Sequence, residues 1–507
     1  MDGSGTGKSS SYSIPNAYQL LGSYIFTDPK GELYDKTAGY MKKNGYNVRV
    51  LNLVNPANSD GYNPLAHISS ELDVDVIANT IVKGQKGDGG SSDPYWDDMA
   101  EMLLKSLIYY LIAVRPPEEQ NLASCAEMVR AANTSGGNNL LSELIGALPY
   151  DHPARMYYKS IEIAPEKTYG SILSSLQSKL GKFDSKEIAE VTSTDTINFD
   201  DIAKKKTALY VISSDTHTAY DFLLTIFFSQ MIQQLYDIAD KNGGKLQVPA
   251  FFILDEFVNI GRIPDFDKKI STSRSRGISF SVILQNLEQL EAVYEKSHET
   301  IKGNCDTHIF LGSNSYKTVE FFSKALGEKT IVRKSTSVNR DKNKKKSGTS
   351  DSDQILGRAL MTPDELRRMP NSECIIYETG LKPIKAEKFY YFESQMAKKL
   401  DEVKLDHNDF DIGDRGTWRK FNPANPYKNT DGGSKRDLKV ESLDDLFDEQ
   451  EFDDDILPVD ETHENESTTS KQAYDEDNFS AQFSEKAQKD IQKELEAKFD
   501  ELFGPIQ

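Results

Sequence analysis

Cysteine is scarce in this sequence, and no apolar run is long enough to cross a lipid bilayer. Cys125, Cys305 and Cys374 are far apart and show no CxxC spacing, which excludes a disulfide framework and a structural zinc site and favours a reducing compartment. The longest apolar run, LLKSLIYYLIAV, has 12 residues and contains Lys105, whereas a spanning helix needs ~20. No signal peptide precedes the first glycines. As it stands, the sequence predicts a soluble cytoplasmic chain.

Basic residues are also fewer than acidic ones, and the acidic excess is concentrated at the C-terminal end. The net charge of the 507 residues is −20, and residues 441–507 alone contain 22 Asp and Glu against 5 Lys, so the rest of the chain is close to neutral. We predict that residues 401–507 form a disordered acidic tail. Within it, apolar residues at helical spacing predict a helix at 483–503 that forms on a partner. The tail is either a solubilising end or a receptor for basic transfer proteins.

Buried strands and helices alternate along the first half of the chain, which is typical of an α/β fold with a mainly parallel sheet. Between the second and third strands, residues 68–200 contain no convincing strand and predict an inserted all-α domain. The predicted strands are SYIFTD (23–28), NVRVLNL (47–53), TALYVIS (207–213), AFFILDE (250–256) and SFSVILQ (279–285).

Residues 3–10, GSGTGKSS, match most of a phosphate-binding loop. In such loops, backbone N–H groups hold phosphate oxygens, the lysine reaches the β- and γ-phosphates, and a hydroxyl binds Mg²⁺. Here Lys8 and Ser9 would take the last two roles, although Asp2 stands where the first glycine is expected. A Gly/Ser linker is the alternative. The predicted nucleotide-binding residues are Gly3, Ser4, Gly5, Thr6, Gly7, Lys8, Ser9 and Ser10.

A second set of residues completes the pattern of a nucleotide hydrolase. The apolar run FFIL ends in Asp255 and Glu256, which would bind Mg²⁺ and orient or deprotonate the attacking water, respectively. Gln285 ends the next strand, where it would sense the γ-phosphate. The alternative is a strand that merely ends in exposed acids. The metal ligands predicted for Mg²⁺ are thus Ser9 and Asp255.

Other charged residues have weaker assignments. Arg274 and Arg276 are either fingers that reach a neighbouring subunit's site or a solvated basic turn. Asp28 and Lys30 follow the first strand, at the edge where α/β folds gather ligands, and are either near the nucleotide or part of a turn. The basic stretch 332–348, predicted to be an unpatterned loop, either touches DNA phosphates or is solvated surface.

Several segments together resemble the coupling-protein ATPases of type IV secretion and conjugation, the TraG/TraD class, in the form found in Gram-positive mobile elements. The resemblance spans residues 1–395 in the family's order. The segments are GSGTGKSSSYSIPN, TDPKGELYDKTAGYMKKNGYNVRVLNLVNPANSDGYNPL, DPYWDDMAEMLLKSLIYYL, LDEFVNIGRIPDF, LQNLEQLEAVY, IKGNCDTHIFLGS and MTPDELRRMPNSECIIYETGLKPIKAEKF.

The resemblance implies a RecA-like P-loop ATPase domain, formed by residues 1–67 and 201–400 around the 68–200 insertion. It implies ATP and Mg²⁺ as cofactors, a hexamer at the cytoplasmic face of the membrane, and relaxase, single-stranded DNA and channel components as partners. It also implies that a membrane anchor and the first sheet strand are missing here. Neighbouring strand edges would then be unpaired, and we expect weak or absent ATPase activity.

Two other functions are compatible with parts of the pattern. An FtsK/HerA-like DNA pump shares the phosphate loop and the acidic strand end, but not TDPKGE or the inserted domain. A non-hydrolysing adaptor that binds the relaxase fits the altered loop, although the trio of Asp255, Glu256 and Gln285 weighs against it.

Overall fold

The computed structural model describes residues 7–84, 94–132, 139–214, 220–339 and 348–423. All of them belong to one compact unit, Met1–Val440, and the second unit, Glu441–Gln507, contains no described residue. The predicted partner helix at 483–503 therefore lies outside the described residues. Among the described helices, none combines the length and apolarity needed to span a bilayer.

Ten strands are described, and five of them form a parallel sheet in the order β2-β3-β1-β4-β5. These five coincide with the predicted strands to within a few residues, and the three inner ones are buried almost throughout. The strands are β1 Ser23–Thr27, β2 Asn47–Asn52, β3 Thr207–Ile212, β4 Ala250–Leu254, β5 Ile278–Val282, β6 Thr307–Phe310, β7 Glu328–Asn339, β8 Gly348–Ala359, β9 Glu373–Glu378 and β10 Ile384–Glu387.

Helices cover the parallel sheet and form the insertion. The α-helices are α1 Ile14–Tyr18, α2 Glu32–Lys43, α3 Glu71–Lys83, α4 Pro94–Val114, α5 Leu122–Ala131, α6 Leu140–Gly146, α7 Pro153–Glu162, α8 Glu166–Leu180, α9 Lys186–Ser193, α10 Phe199–Lys204, α11 Asp221–Lys241, α12 Phe266–Thr272, α13 Leu287–Tyr294, α14 His298–Gly303, α15 Tyr316–Leu326, α16 Pro363–Arg367 and α17 Gln395–Asp401.

The described residues between β2 and β3 contain helices and no strand, in keeping with an all-α insertion. Its central helix is α4, whose Leu103, Leu107 and Leu111 are fully buried. These leucines recur every four residues, so they form one apolar stripe, against which α3, α7 and α8 pack. The insertion shares a continuous apolar core with one face of the sheet.

The stretch predicted to be an unpatterned basic loop is instead a β-hairpin, which we call the arm (residues 328–359). β7 and β8 pair antiparallel from Glu328 opposite Ala359 to Asn339 opposite Gly348. Both faces of its described base are open to solvent, and Val332 and Ile355 are 60% and 74% exposed. A ribbon without a buried face needs no alternation of apolar and polar residues. Its sequence therefore carries no strand signal.

The predicted start of the tail at residue 401 is also corrected. Residues 403–423, which we call the strap, cross α2 and continue onto the inserted domain. Arg415 donates to the carbonyls of Pro56 and Ser59, and Phe421 is 2% exposed. Single buried side chains spaced along a polar segment give no periodic signal, so the sequence resembles disorder.

Candidate nucleotide-binding site

The phosphate loop is described from Gly7 onward, so the predicted residues Gly3, Ser4, Gly5 and Thr6 lie outside the described residues. Gly7 has a left-handed φ of +78°, a conformation that favours glycine. Its carbonyl accepts hydrogen bonds from the backbone N–H and the hydroxyl of Ser11, both at 2.7 Å. A turn of π-helix, Ser9–Ser13, follows and runs into α1. The loop thus feeds a helix N-terminus, where free N–H groups favour an anion.

Ser9 and Asp255 come together at this helix start, although 246 residues separate them. The Ser9 hydroxyl donates to Asp255 Oδ2 over 3.3 Å. Asp255 follows directly after β4, so the sheet fixes its position. Burial raises the pKa of Asp255 above its ordinary range, and the nearby Lys8 charge and the Ser9 hydrogen bond partly offset this. A hydroxyl and a carboxylate oxygen in this arrangement are oxygen donors of the kind Mg²⁺ takes.

Lys8 supplies an unpaired cation at the same place. Its Nζ is buried and has no hydrogen-bond partner among the described residues. A buried ammonium without a hydrogen-bond acceptor is costly, and none of the described residues accepts from its three N–H donors. Phosphate oxygens would satisfy those donors, so the observation fits the predicted role of Lys8.

Glu256 is held by two amide side chains. Gln285 Nε2 donates to Glu256 Oε1 at 3.0 Å, and Asn259 Nδ2 donates to Oε2 at 3.1 Å. The Glu256 backbone is left-handed, with φ 50° and ψ 48°, which is unfavourable for a residue with a Cβ. Each carboxylate oxygen therefore has a fixed direction. Glu256 and Gln285 were predicted to share the site, whereas Asn259 was missed.

Thr27 reaches the site from the neighbouring strand, and Asp28 follows it in the chain. The Thr27 hydroxyl donates to the Asp255 carbonyl at 2.6 Å. Asp28 is 2% exposed and accepts a 2.8 Å hydrogen bond from the Tyr34 N–H at the start of α2. Burial raises the pKa of Asp28 to about 6, against the lowering effect of the Tyr34 and Leu33 N–H groups. Lys30 is exposed. Asp28 thus holds a helix start beside the site.

The two predicted finger arginines have different environments. The Arg274 side chain is 88% exposed and pairs with the exposed Asp306 at 2.9 Å. Arg276 is 24% exposed, donates two hydrogen bonds to Asp240, and lies 4.7 Å from the ring centre of Tyr236. Only Arg274 is free to extend from the surface. The finger role stays a prediction for both arginines; the exposure of Arg274 suits it, whereas Asp240 and Tyr236 hold Arg276.

A cleft of about 840 Å³ separates β5 from β6 and is lined by both strands and by Lys8 and Tyr12. The carbonyl of Gly277 accepts a hydrogen bond from β4, and the N–H of Ile283 donates one to β4. The alternate residues Phe280 and Val282 therefore turn their backbone groups toward the cleft. No described strand pairs with that side of β5.

The contacts that sequence reasoning missed depend on tertiary structure. Asn259 lies three residues after Glu256 in a 3₁₀ turn. An amide side chain at that spacing is the one feature of the sequence that could have indicated the contact with Glu256. Tyr390 lies against the phosphate loop: a Cβ added to Gly7 would stand 2.9 Å from Tyr390 Cε1. Nothing in the sequence places residue 390 beside residue 7.

Comparison with known proteins agrees with this geometry. A family model described as type IV secretory system conjugative DNA transfer matches residues 1–410. A conjugal transfer protein TraG of Escherichia coli is 25% identical over 433 residues, covering 76% of this chain and 66% of TraG. A VirD4 protein of Agrobacterium fabrum is 24% identical over 422 residues, covering 79% of this chain and 59% of VirD4. The chain thus spans 66% of the length of one of these relatives and 59% of the other.

A solved structure shares the fold. The plasmid coupling protein TrwB, solved in complex with ADP and Mg²⁺, aligns with a TM-score of 0.50 at 14% identity, covering 74% of this chain and 87% of TrwB. This similarity confirms the predicted α/β fold of the P-loop ATPase class.

Proposed function

Because this chain belongs to the conjugative DNA transfer family of type IV secretory systems, we propose that it is an ATPase that drives DNA transfer. The chain is a coupling protein of the TraG/VirD4 kind, as the resemblance predicted. The finer claims, hydrolysis of ATP and delivery of a relaxase bound to single-stranded DNA into a transfer channel, are proposals. The family match favours conjugative transfer over an FtsK/HerA-like pump.

The single observation that supports hydrolysis is the buried Lys8 Nζ, which has no hydrogen-bond partner in the described part of the chain and lies beside the Ser9–Asp255 contact. Ser9 and Asp255 would hold Mg²⁺, which neutralises phosphate charge when bound. Lys8 would bind the β- and γ-phosphate oxygens and stabilise the charge that develops on them during transfer.

Glu256 would act on the attacking water. Its two oxygens are held by Gln285 and Asn259, so one lone pair can accept the proton of a water placed in line with the γ-phosphorus. The water oxygen forms the new P–O bond, and the bond to the leaving ADP oxygen breaks. The proton passes to Glu256 and then to solvent. Gln285 contacts Glu256 directly and would link the γ-phosphate to this base.

Assembly and partners complete the proposal. A homo-hexamer at the membrane would place Arg274 at a neighbour's site. Relaxase, single-stranded DNA and channel components would be the partners, and the acidic residues 441–507 would be a receptor for basic transfer proteins.

The test is ATP hydrolysis with and without single-stranded DNA. Lys8→Ala should lose nucleotide binding and turnover, whereas Glu256→Gln should keep binding and lose at least ~100-fold in turnover. Lys43→Ala, an exposed lysine at the end of α2, is the matched control. Binding without hydrolysis, both by this chain and by a version extended with the upstream genomic codons in frame, would instead support the adaptor function.

A further inference from the structure

Two aromatic residues just after β10 lie beside the phosphate loop and have no role in the proposed hydrolysis. Tyr390 and Phe392 are stacked, with ring centres 5.1 Å apart and an interplanar angle of 21°. Phe392 is 55% exposed, although stacked aromatic side chains are usually covered in a folded protein. The pair therefore offers an open aromatic surface at the edge of the nucleotide site.

The position of Tyr390 is fixed from both sides. Its hydroxyl donates to the Asn371 carbonyl at 3.1 Å. The next residue, Tyr391, is 8% exposed and contacts Lys36 of α2, whose Nζ lies 5.3 Å from the ring centre. A buried neighbour and a bonded hydroxyl hold the Tyr390 ring in one orientation, which is what a preorganised binding surface requires.

The aromatic pair and the carboxylates contact the described part of the loop at different residues. Tyr390 approaches Gly7, and Ser10 Oγ lies 3.3 Å from the position a Gly7 Cβ would take. Asp255 contacts the loop at Ser9, and Glu256 and Gln285 bond to each other on the Asp255 side. The carboxylates mark the γ-phosphate end, so the nucleoside end of a bound triphosphate would extend toward the aromatic pair.

We propose that Tyr390 and Phe392 form the stacking surface for the base of the nucleotide bound at the phosphate loop. This inference rests on the proposed function. Stacking on an aromatic face is sequence-tolerant, since every base has a π-face, and the Tyr390 hydroxyl is already engaged by Asn371. The site therefore accepts purine and pyrimidine triphosphates, with purines bound more tightly because their rings cover more of the surface.

A purely structural role for Tyr390 is the competing explanation, because its ring also supports Gly7. The two explanations differ for a ligand that has phosphates and no base. Inorganic tripolyphosphate with Mg²⁺ would depend on the loop alone, whereas ATP would depend on the loop and the aromatic pair.

The experiment measures Kd for ATP and for tripolyphosphate by calorimetry on the full chain. Tyr390→Leu and Phe392→Leu should each weaken ATP binding about tenfold and leave tripolyphosphate binding within about twofold. Tyr390→Phe should retain the affinity of the unaltered chain for ATP. Phe389→Leu, at a residue that is 54% exposed and outside the stacked pair, should change neither Kd.

Two results would overturn the inference: an equal loss for both ligands in Tyr390→Leu, which indicates support of the loop, or no loss for either ligand. Failure of the proposed function looks different. In that case the unaltered chain binds neither ligand, or Lys8→Ala binds both as well as the unaltered chain does.

Discussion

Glu256 has an unfavourable backbone conformation at the centre of the site, and hydrogen bonds from its neighbours orient its carboxylate. Its left-handed backbone aims the carboxylate, and Asn259 and Gln285 hold one oxygen each. Removing Asn259 leaves the base in the site but lets it turn. The interaction matters only when water attacks the γ-phosphorus, so it should affect kcat more than KM.

Asn259→Ala is therefore expected to lower kcat for ATP about tenfold or more, with KM within about twofold. Steady-state hydrolysis at saturating single-stranded DNA measures both. Asn44→Ala, at an exposed asparagine after α2, is the control. A rise in KM with unchanged kcat would show that Asn259 supports binding and does not position Glu256.

Asp28 makes the stability of the chain depend on pH. Burial raises its pKa from 3.8 to about 6, with Asp35 adding to the rise and His407 opposing it. The folded state then holds the proton more tightly than the unfolded state does. The stability contributed by this proton is complete below pH 4 and is lost as pH rises to about 6, a loss of about 3 kcal/mol at most.

Asp28→Asn should remove this loss, because the amide is neutral and its oxygen can still accept from the Tyr34 N–H. Urea unfolding should show the variant to be more stable than the unaltered chain by about 3 kcal/mol at pH 7.5 and by only about 1 kcal/mol at pH 4.5. Asp151→Asn, at an exposed aspartate, should not change the pH dependence. An equal shift at both pH values would contradict the assignment.

At the scale of elements, burial determines what the sequence could predict. The inner strands of the parallel sheet, β1, β3 and β4, are apolar runs because both of their faces are covered. The arm gave no signal because its faces are exposed, and the strap gave none because it buries isolated residues. The residues of the site also differ in whether the sequence could indicate them. Local motifs indicated Lys8, Asp255 and Glu256, whereas tertiary structure alone brings Tyr390 to the loop.

The strap is an element of the folded body, although the family match ends at residue 410. The Phe421 N–H donates to Ser124 Oγ at 2.9 Å, and its ring lies 5.1 Å from the Arg115 guanidinium. Farther back, the Leu405 N–H donates to the Asp35 carbonyl at 3.1 Å, and His407 Nδ1 lies 2.9 Å from Asp35 Oδ1. One segment thus joins α2 to the inserted domain.

Phe421→Ala should therefore lower the free energy of unfolding by about 3 kcal/mol, the usual cost of emptying a buried aromatic site. Phe389→Ala, at an exposed phenylalanine, should change it by less than about 0.5 kcal/mol. Urea unfolding followed by far-UV circular dichroism measures both. Equal stability of the two variants would mean that the strap contributes nothing to the body.

At the scale of the whole molecule, Arg274 can only work if copies of the chain meet. Its surface ion pair with Asp306 is weak by nature, so breaking it to enter a neighbour's site costs little. Arg276, held by Asp240 and Tyr236, cannot leave as readily. Within a ring, one subunit would supply Lys8 and Glu256, and the next would supply Arg274.

Mixing two inactive variants tests this arrangement. Lys8→Ala lacks the phosphate site and Arg274→Ala lacks the finger, so each should be inactive alone. In an equal mixture, about a quarter of the interfaces pair an intact site with an intact finger, and hydrolysis should recover toward that fraction. Arg276→Ala, as the control, should keep its activity. No recovery would place Arg274 in its own subunit's site, and full activity of Arg274→Ala alone would rule out a finger at this position.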